Sequence, residues 1–312
     1  MKNKGIAITI LAAVFWGFSG ACAQYIFDTF HADPVHLTAI RISCAGVALT
    51  LFGMLKDPDN MKSIWKDRPM VIRLFIFGIA GLMFCQITYM LAISYTNSGT
   101  ATILQYIGPV LVMIVSCLMA RRLPRGKEVV AIFLVIVGTF IIATHGNIHN
   151  MVLTPAGLFW GLMSAVSLMT YTLIPVKLTE KYGPISASGW GMIIGGIVLC
   201  LGSRVWEMEV IYDFRFVLAF IGIVIFGTIL PFTMYVYGVS RCGAVKASMI
   251  ASIEPVSATV FMVVWLKEPF MLIDLAGFLC IFITVFLLVK KEEVRDPEKP
   301  VSTCEPHENK AQ

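Results

Sequence analysis

The fold is decided by residues 222–256, which read GIVIFGTILPFTMYVYGVSRCGAVKASMIASIEPV. The charged residues in this stretch are Arg241, Lys246 and Glu254, and two long apolar runs flank the connection at Arg241. A helix that crosses a bilayer needs about 20 mostly apolar residues. The stretch therefore predicts two membrane-spanning helices joined by a short polar turn.

The composition of the whole chain also indicates a membrane protein. Of its 312 residues, 58% are apolar and only 14% are charged, and the mean hydropathy is +0.82. A soluble domain has about 25% charged residues, which it needs to cover its exterior. Disorder requires low hydrophobicity and is excluded for most of the chain. The net charge of +5 lies in short clusters, which argues against a nucleic-acid-binding domain.

Similar apolar runs occur along most of the chain, so the sequence predicts an all-α integral membrane protein with ten transmembrane helices in the lipid bilayer. Most Lys and Arg residues lie in alternate connections, whereas the other connections carry only Arg204, Arg215 and Lys267. Because cytoplasmic loops are rich in Lys and Arg, we expect a multi-pass protein of the plasma or inner membrane with both termini in the cytoplasm. The ten predicted segments are 5–27, 35–55, 71–94, 99–120, 128–145, 153–176, 184–203, 216–239, 244–266 and 270–289.

The chain also resembles itself. Residues 12–17, AAVFWG, recur as AGLFWG at 156–161, and residues 76–110 match residues 222–256 at identical Gly, Tyr, Ser, Ala and Pro positions. Such a near-constant displacement indicates an internal repeat. Each copy holds five spans, so the second copy is expected to be inverted, which provides a route to alternating access. The predicted units are a first repeat, 1–147, a second repeat, 148–290, and a disordered cytoplasmic tail, 291–312.

The repeated residues resemble the signature of the EamA-type transporters of the drug/metabolite transporter superfamily, over about residues 5–290. This resemblance implies a bacterial inner-membrane transporter with ten spans that carries small metabolites, often as an exporter of amino acids or related compounds. The first copy departs from the pattern, because Arg122 and Gly108 stand where the second copy has Glu268 and Glu254. The matching residues include Phe15–Gly17, Arg41, Tyr89, Ser94, Ala101, Pro109, Tyr235, Gly238, Ser240, Ala247, Glu254–Val256, Trp265–Glu268 and Gly277.

Charged residues inside spans are the first candidates for function, because each costs about 2.5–3.5 kcal/mol at mid-membrane. Glu254 is either a protonatable group that couples transport to protons or a structural acid that hydrogen-bonds beside Pro255. Arg41 either binds an anionic group such as a substrate carboxylate or pairs with a neighbouring helix. Lys246, near the cytoplasmic end of its span, is expected to snorkel to the headgroups.

Uncharged polar and aromatic residues within spans are candidates for a substrate cavity, since such sites combine apolar walls with a few oriented polar groups. The alternative for the tryptophans is ordinary packing between helices. The predicted substrate-binding set is Trp16, Gln24, Arg41, Gln86, Tyr89, Gln105, Trp160, Tyr171 and Tyr235.

These observations predict a secondary transporter of small organic metabolites, expected to be an exporter of amino-acid-like compounds, with protons as a candidate coupling ion. The same fold running inward as a nutrient permease is one alternative, and a membrane-embedded enzyme or lipid-handling protein is another. We expect no enzyme activity, cofactor, metal or nucleic-acid partner, since no phosphate loop or HExxH motif is present. His31, His36, His145 and His149 are predicted to be ordinary outer-loop histidines. The protein is expected to be a monomer or homodimer.

Overall fold

The computed structural model describes residues 2–96, 98–150, 154–208, 213–266 and 271–289, and within these ranges it contains helices and no strand. Three short π-helical segments, Phe77–Met83, Ile225–Ile229 and Met262–Leu266, continue the helices that end at Ile76, Val224 and Phe261. The helices are α1 (Lys2–Phe30), α2 (Pro34–Lys56), α3 (Pro58–Ser63), α4 (Arg68–Ile76), α5 (Phe84–Tyr95), α6 (Ser98–Gln105), α7 (Gly108–Met119), α8 (Gly126–Thr144), α9 (Pro155–Leu173), α10 (Val176–Ser203), α11 (Phe214–Val224), α12 (Leu230–Cys242), α13 (Ala244–Ile250), α14 (Ile253–Phe261) and α15 (Leu272–Val289).

Seven helical runs among the described residues are long and apolar enough to cross a membrane, which confirms an all-α membrane protein. Two shorter apolar helices, Gly108–Met119 and Leu272–Thr284, lie in two of the other predicted segments. The count of ten spans therefore stays a prediction. The tail predicted at 291–312 lies outside the described residues. The seven runs are Lys4–Phe30, Pro34–Lys56, Arg68–Tyr95, Pro155–Leu173, Val176–Ser203, Phe214–Cys242 and Ala244–Trp265.

Local sequence signals set several helix starts. Asp33 accepts hydrogen bonds from Val35 N (2.9 Å) and His36 N (2.8 Å), and Pro34 occupies the first helical position of α2. Thr154 similarly accepts from Gly157 N at the start of α9. Such caps satisfy backbone N–H groups that have no partner within the helix, and proline at the first position loses nothing because its N–H would be unpaired there.

The seventh predicted span was expected to begin at residue 184, and in the structure it starts directly after a break in the helix. The helical run α10, Val176–Ser203, is interrupted at Gly183, whose φ is 77°. Glycine adopts this left-handed region without a steric penalty. The polar residues before Pro184 are therefore helical as well, and the bend separates them from the apolar part of the helix.

Interruptions of helices occur at corresponding places in the two halves. α6 ends at Gln105 and α7 begins at Gly108, and likewise α13 ends at Ile250 and α14 begins at Ile253. The π-helical segments at Phe77–Met83 and Ile225–Ile229 also occupy matching positions of the repeat. Broken helices in equivalent positions of two halves are typical of transporter binding sites. The inverted orientation of the halves stays a prediction.

Small residues allow the helices to approach closely. A methyl group added at Gly46 would lie 2.7 Å from Ile193 N, and one added at Gly195 would lie 2.6 Å from Gly78 O. These contacts join α2 to α10, and α10 to the π-helical segment after α4. Close packing around small residues is a main source of helix association in membranes, so these glycines allow close contact of α10 with α2 and with the π-helical segment.

Candidate functional site: a central cavity

A cavity of about 900 Å³ lies among the helices, between residues from both halves of the chain. It reaches the end of the bundle where α1 ends and α2 begins, and there Asp28 and His31 are solvent-exposed. We call this end the mouth. The volume is within the range of small-molecule sites.

The structure brings most of the predicted substrate-binding residues onto the wall of this cavity. They come from α1, α2, α5, α6 and α9, and Glu254 of α14 joins them. Residues that are distant in the sequence therefore share one surface. The predicted residues on the wall are Trp16, Gln24, Arg41, Gln86, Tyr89, Gln105 and Tyr171.

Two members of the predicted set do not line the cavity. Trp160 packs edge-on against Phe159, with ring centroids 5.1 Å apart, and lies away from the wall. Tyr235 is fully buried behind it, and its hydroxyl lies 2.9 Å from Thr172 Oγ1. A sequence pattern cannot distinguish these positions from Trp16, because the rotation of each helix about its axis decides which face meets the cavity.

Tyr235 instead supports an aromatic cluster beneath the wall. Its ring stacks on Tyr171, with centroids 5.4 Å apart at 20°, and Tyr171 also stacks on Phe77 at 6.0 Å. Trp16 packs against both Phe232 (5.2 Å) and Tyr235 (5.3 Å). The Tyr171 hydroxyl donates to Phe232 O at 3.0 Å. Aromatic pairs of this kind add about 0.5–1.5 kcal/mol each beyond the area that they bury, so the wall has a rigid backing.

Glu254 lies in the first turn of α14, directly after the helix break at residues 251–252. Its Oε2 is 3.3 Å from the hydroxyl of Tyr106, which sits in the matching break between α6 and α7. The same hydroxyl is 2.9 Å from Ala251 O. A tyrosine hydroxyl has one proton to donate, so it bonds either to the carboxylate or to the carbonyl. When it bonds to Ala251 O, its oxygen is free to accept a hydrogen bond from a protonated Glu254.

A buried acid near the mouth, Asp274, was not among the residues predicted from the sequence. Asp274 is fully buried in the first turn of α15 and accepts hydrogen bonds from Met271 N (3.0 Å) and from His145 Nδ1 (2.9 Å). His145 also lines the cavity, so it is more than an ordinary loop histidine. The signal was present in the sequence, because Asp274 aligns with Glu128 of the first repeat.

Glu128 has the same local role with a different partner. It accepts from Arg125 N at 2.8 Å and forms a two-point ion pair with Arg122, with both distances 2.9 Å. The two repeats therefore cap equivalent helices with an acid, and pair that acid with an arginine in one copy and a histidine in the other. The described residues contain no group of three His, Cys, Asp or Glu side chains arranged to hold a metal ion.

Comparison with known proteins places the chain in a family. The model of the EamA-like transporter family matches residues 3–144 and 155–290. A Salmonella typhimurium protein named uncharacterized inner membrane transporter YicL is 35% identical, covering 92% of this chain and 95% of that protein. An Archaeoglobus fulgidus protein named uncharacterized transporter is 25% identical, over 91% and 98%. An Arabidopsis thaliana chloroplastic WAT1-related protein is 22% identical, over 88% and 66%.

A solved crystal structure shares the fold. It superposes with a TM-score of 0.77 and covers 91% of this chain and 96% of that chain, at 16% sequence identity. At this identity the likeness shows the fold alone. The family match extends over both halves of the chain, and the protein named as an inner membrane transporter is similar over almost its full length. The chain therefore belongs to the EamA-like transporter family and is a multi-pass membrane transporter.

Proposed function

We propose that this protein is a secondary active transporter that moves small organic metabolites across the membrane by alternating access. The observation that carries the proposal is the cavity of about 900 Å³, whose wall combines apolar side chains with the charged residues Arg41 and Glu254. Both residues come from apolar helices, in which a charged side chain is costly and is therefore a sign of function. The cavity is large enough for a metabolite of amino-acid size.

The proposed mechanism uses the two repeats as inverted five-helix units within a ten-span protein. The matching helix breaks at residues 106–107 and 251–252 lie beside the cavity, where Gln105 and Glu254 line the wall. At an interrupted helix some backbone groups lack intrahelical hydrogen bonds, so the chain can move there when the packing of the helices changes. Rocking of one repeat against the other would then open the cavity to each side in turn.

Glu254 is the proposed proton-coupling residue. Its neighbour Tyr106 can donate to the carboxylate or, after turning its proton to Ala251 O, accept from the protonated acid. Both protonation states of Glu254 therefore have a hydrogen-bond partner. This is what a group that gains and loses a proton inside a membrane requires, because an unsatisfied buried polar group costs about 1–3 kcal/mol.

The test is reconstitution of the full chain into liposomes, with the flux of a metabolite panel measured with and without a pH gradient. We expect Glu254→Gln to abolish flux driven by the gradient while leaving exchange of labelled for unlabelled solute. The exposed Glu207 supplies the control, and Glu207→Gln should behave like the original protein. Gradient-driven flux that survives Glu254→Gln would refute the coupling role.

The direction of transport needs a sided measurement. We propose export of amino-acid-like compounds, with both termini in the cytoplasm, on the basis of the family resemblance and the distribution of Lys and Arg. Loading solute on one side of oriented vesicles separates export from an inward nutrient permease. Turnover of lipid without flux of any solute would instead favour an enzyme or lipid-handling protein.

A further inference from the structure

We propose that Arg41, Gln86 and Trp16 form an oxyanion subsite on the cavity wall, which binds a carboxylate or phosphate group of the transported molecule. The inference rests on the proposed transport function and names the chemical class of its substrate. Each of these three side chains lines the cavity and has at least one buried polar atom without a hydrogen-bond partner.

Arg41 is a buried cation without a counter-ion. Its side chain is on the cavity wall, only 6% of its surface is exposed, and its Nε has no hydrogen-bond partner. Within the described residues, no acidic side chain forms an ion pair with it. Arginine stays protonated in proteins, so burial cannot be relieved by loss of its proton. An anion that enters the cavity would supply the missing charge.

Gln86 and Trp16 add further unpaired polar atoms to the same wall. Gln86 is 3% exposed, and both its Nε2 and its Oε1 lack partners, as does Nε1 of Trp16. More than nine-tenths of buried polar groups in folded proteins are hydrogen-bonded, so this concentration is unusual. The other buried atoms without partners among the described residues are hydroxyl groups of Ser and Thr away from the cavity lining.

The donor set indicates which ligand fits. Three of these four atoms belong to N–H groups, one of them on a guanidinium, and a carboxylate or phosphate offers only acceptors to such donors. Guanidinium and carboxylate can form two parallel charge-assisted hydrogen bonds, which are among the strongest in proteins. Asp28, His31 and His145 line the cavity at its mouth. When Glu254 carries its proton, Arg41 is therefore the charged side chain on the rest of the cavity wall.

The experiment measures ligand binding by the purified full chain, so it does not depend on transport. Melting temperatures are compared in acetate and acetamide, in benzoate and benzamide, and in inorganic phosphate, at matched ionic strength with sodium chloride. We expect at least one anion to raise the melting temperature by several degrees, while the neutral amides leave it unchanged. Comparison of acetate and benzoate with inorganic phosphate shows whether the site binds a carboxylate or a phosphate group.

Two variants test whether the anion binds at this subsite. Arg41→Gln should remove the stabilisation by anions. Gln86→Glu places a carboxylate on the same wall as Arg41, so it should also remove this stabilisation while the melting temperature without ligand does not fall. Arg215→Gln changes an exposed arginine at the start of α11 and is the matched control, which should keep the full shift.

Equal shifts with anions and amides, or shifts retained by both variants, would overturn the inference. The two proposals fail separately. If anions bind but no solute crosses the membrane, the subsite stands and the transport proposal fails. If neutral or cationic solutes are transported and none of the anions binds, the transporter stands and the oxyanion subsite fails.

Discussion

Replacing Gly17 by alanine should push two helices of the cavity wall apart. Gly17 lies in α1, one residue after Trp16, and packs on α14. A methyl group there would lie 2.5 Å from Ala258 N and 2.9 Å from Ser257 C, and closer still to the Ser257 hydroxyl. The hydroxyl can turn away, but the backbone of α14 cannot move without the helix.

The loss of stability caused by Gly17→Ala can be worked out from these distances. Contacts below 3.0 Å do not occur for real Cβ atoms, so α14 must retreat by about half an ångström or more. A gap of this size forfeits a quarter or more of each dispersion contact along the interface, and overpacking of this kind costs about 1–3 kcal/mol. Alanine is the better helix former by about 1 kcal/mol. We therefore expect a net loss of about 1 kcal/mol, or roughly 2 °C in melting temperature.

Gly20, on the same helix, is the matched control. A methyl group at Gly20 meets no atom within 4 Å, so Gly20→Ala should be neutral or slightly stabilising. Unfolding can be followed with a thiol-reactive fluorophore, because Cys22, Cys85 and Cys117 are free and buried in the folded protein. Equal melting temperatures for Gly17→Ala and Gly20→Ala would refute this account of the α1–α14 contact.

Two further predictions concern charged pairs. Lys181 and the neighbouring tyrosine hydroxyl donate to Asp67 and hold the pKa of that carboxyl below its ordinary range. This stabilisation is fully present above the ordinary pKa of about 3.9 and is lost as the pH falls through the lowered value. In unfolding titrations the stability advantage over Asp67→Asn should therefore begin to shrink below about pH 4 and should vanish only below the lowered pKa of Asp67. His145→Ala should cost roughly 2–3 kcal/mol, because it removes a hydrogen bond to the buried carboxylate of Asp274. Adding Asp274→Asn should recover part of this loss, and equal stabilities of the single and double variants would contradict the role of the pair.

Much of the fold is predictable from composition alone. Membrane helices need long apolar runs, and runs such as 216–239 and 244–266 stand out in the sequence without any tertiary information. Arg41 and Glu254 could be selected for the same reason, since a charge within such a run is costly. Both residues lie on the cavity wall.

Details that depend on backbone geometry were less predictable. The helical turns before the bend at Gly183 contain polar residues, so they do not register as part of an apolar run. The helix breaks beside Gln105 and Glu254 have only a proline nearby as a local signal. The pair between His145 and Asp274 joins residues that are far apart in the chain, and no pattern within either helix predicts it.

The class of protein, the position of most apolar helices, the repeat and the costly charges within spans can all be read from the sequence, because each depends on local composition or on residue order. Which faces of the helices meet the cavity depends on the tertiary structure. Trp16 and Trp160 occupy equivalent repeat positions, yet only Trp16 lies on the wall. Tyr235 backs the wall, although its repeat partner Tyr89 lines it. The rotation of each helix is fixed by contacts such as that of Gly17 with α14, and these contacts exist only after the helices have packed together.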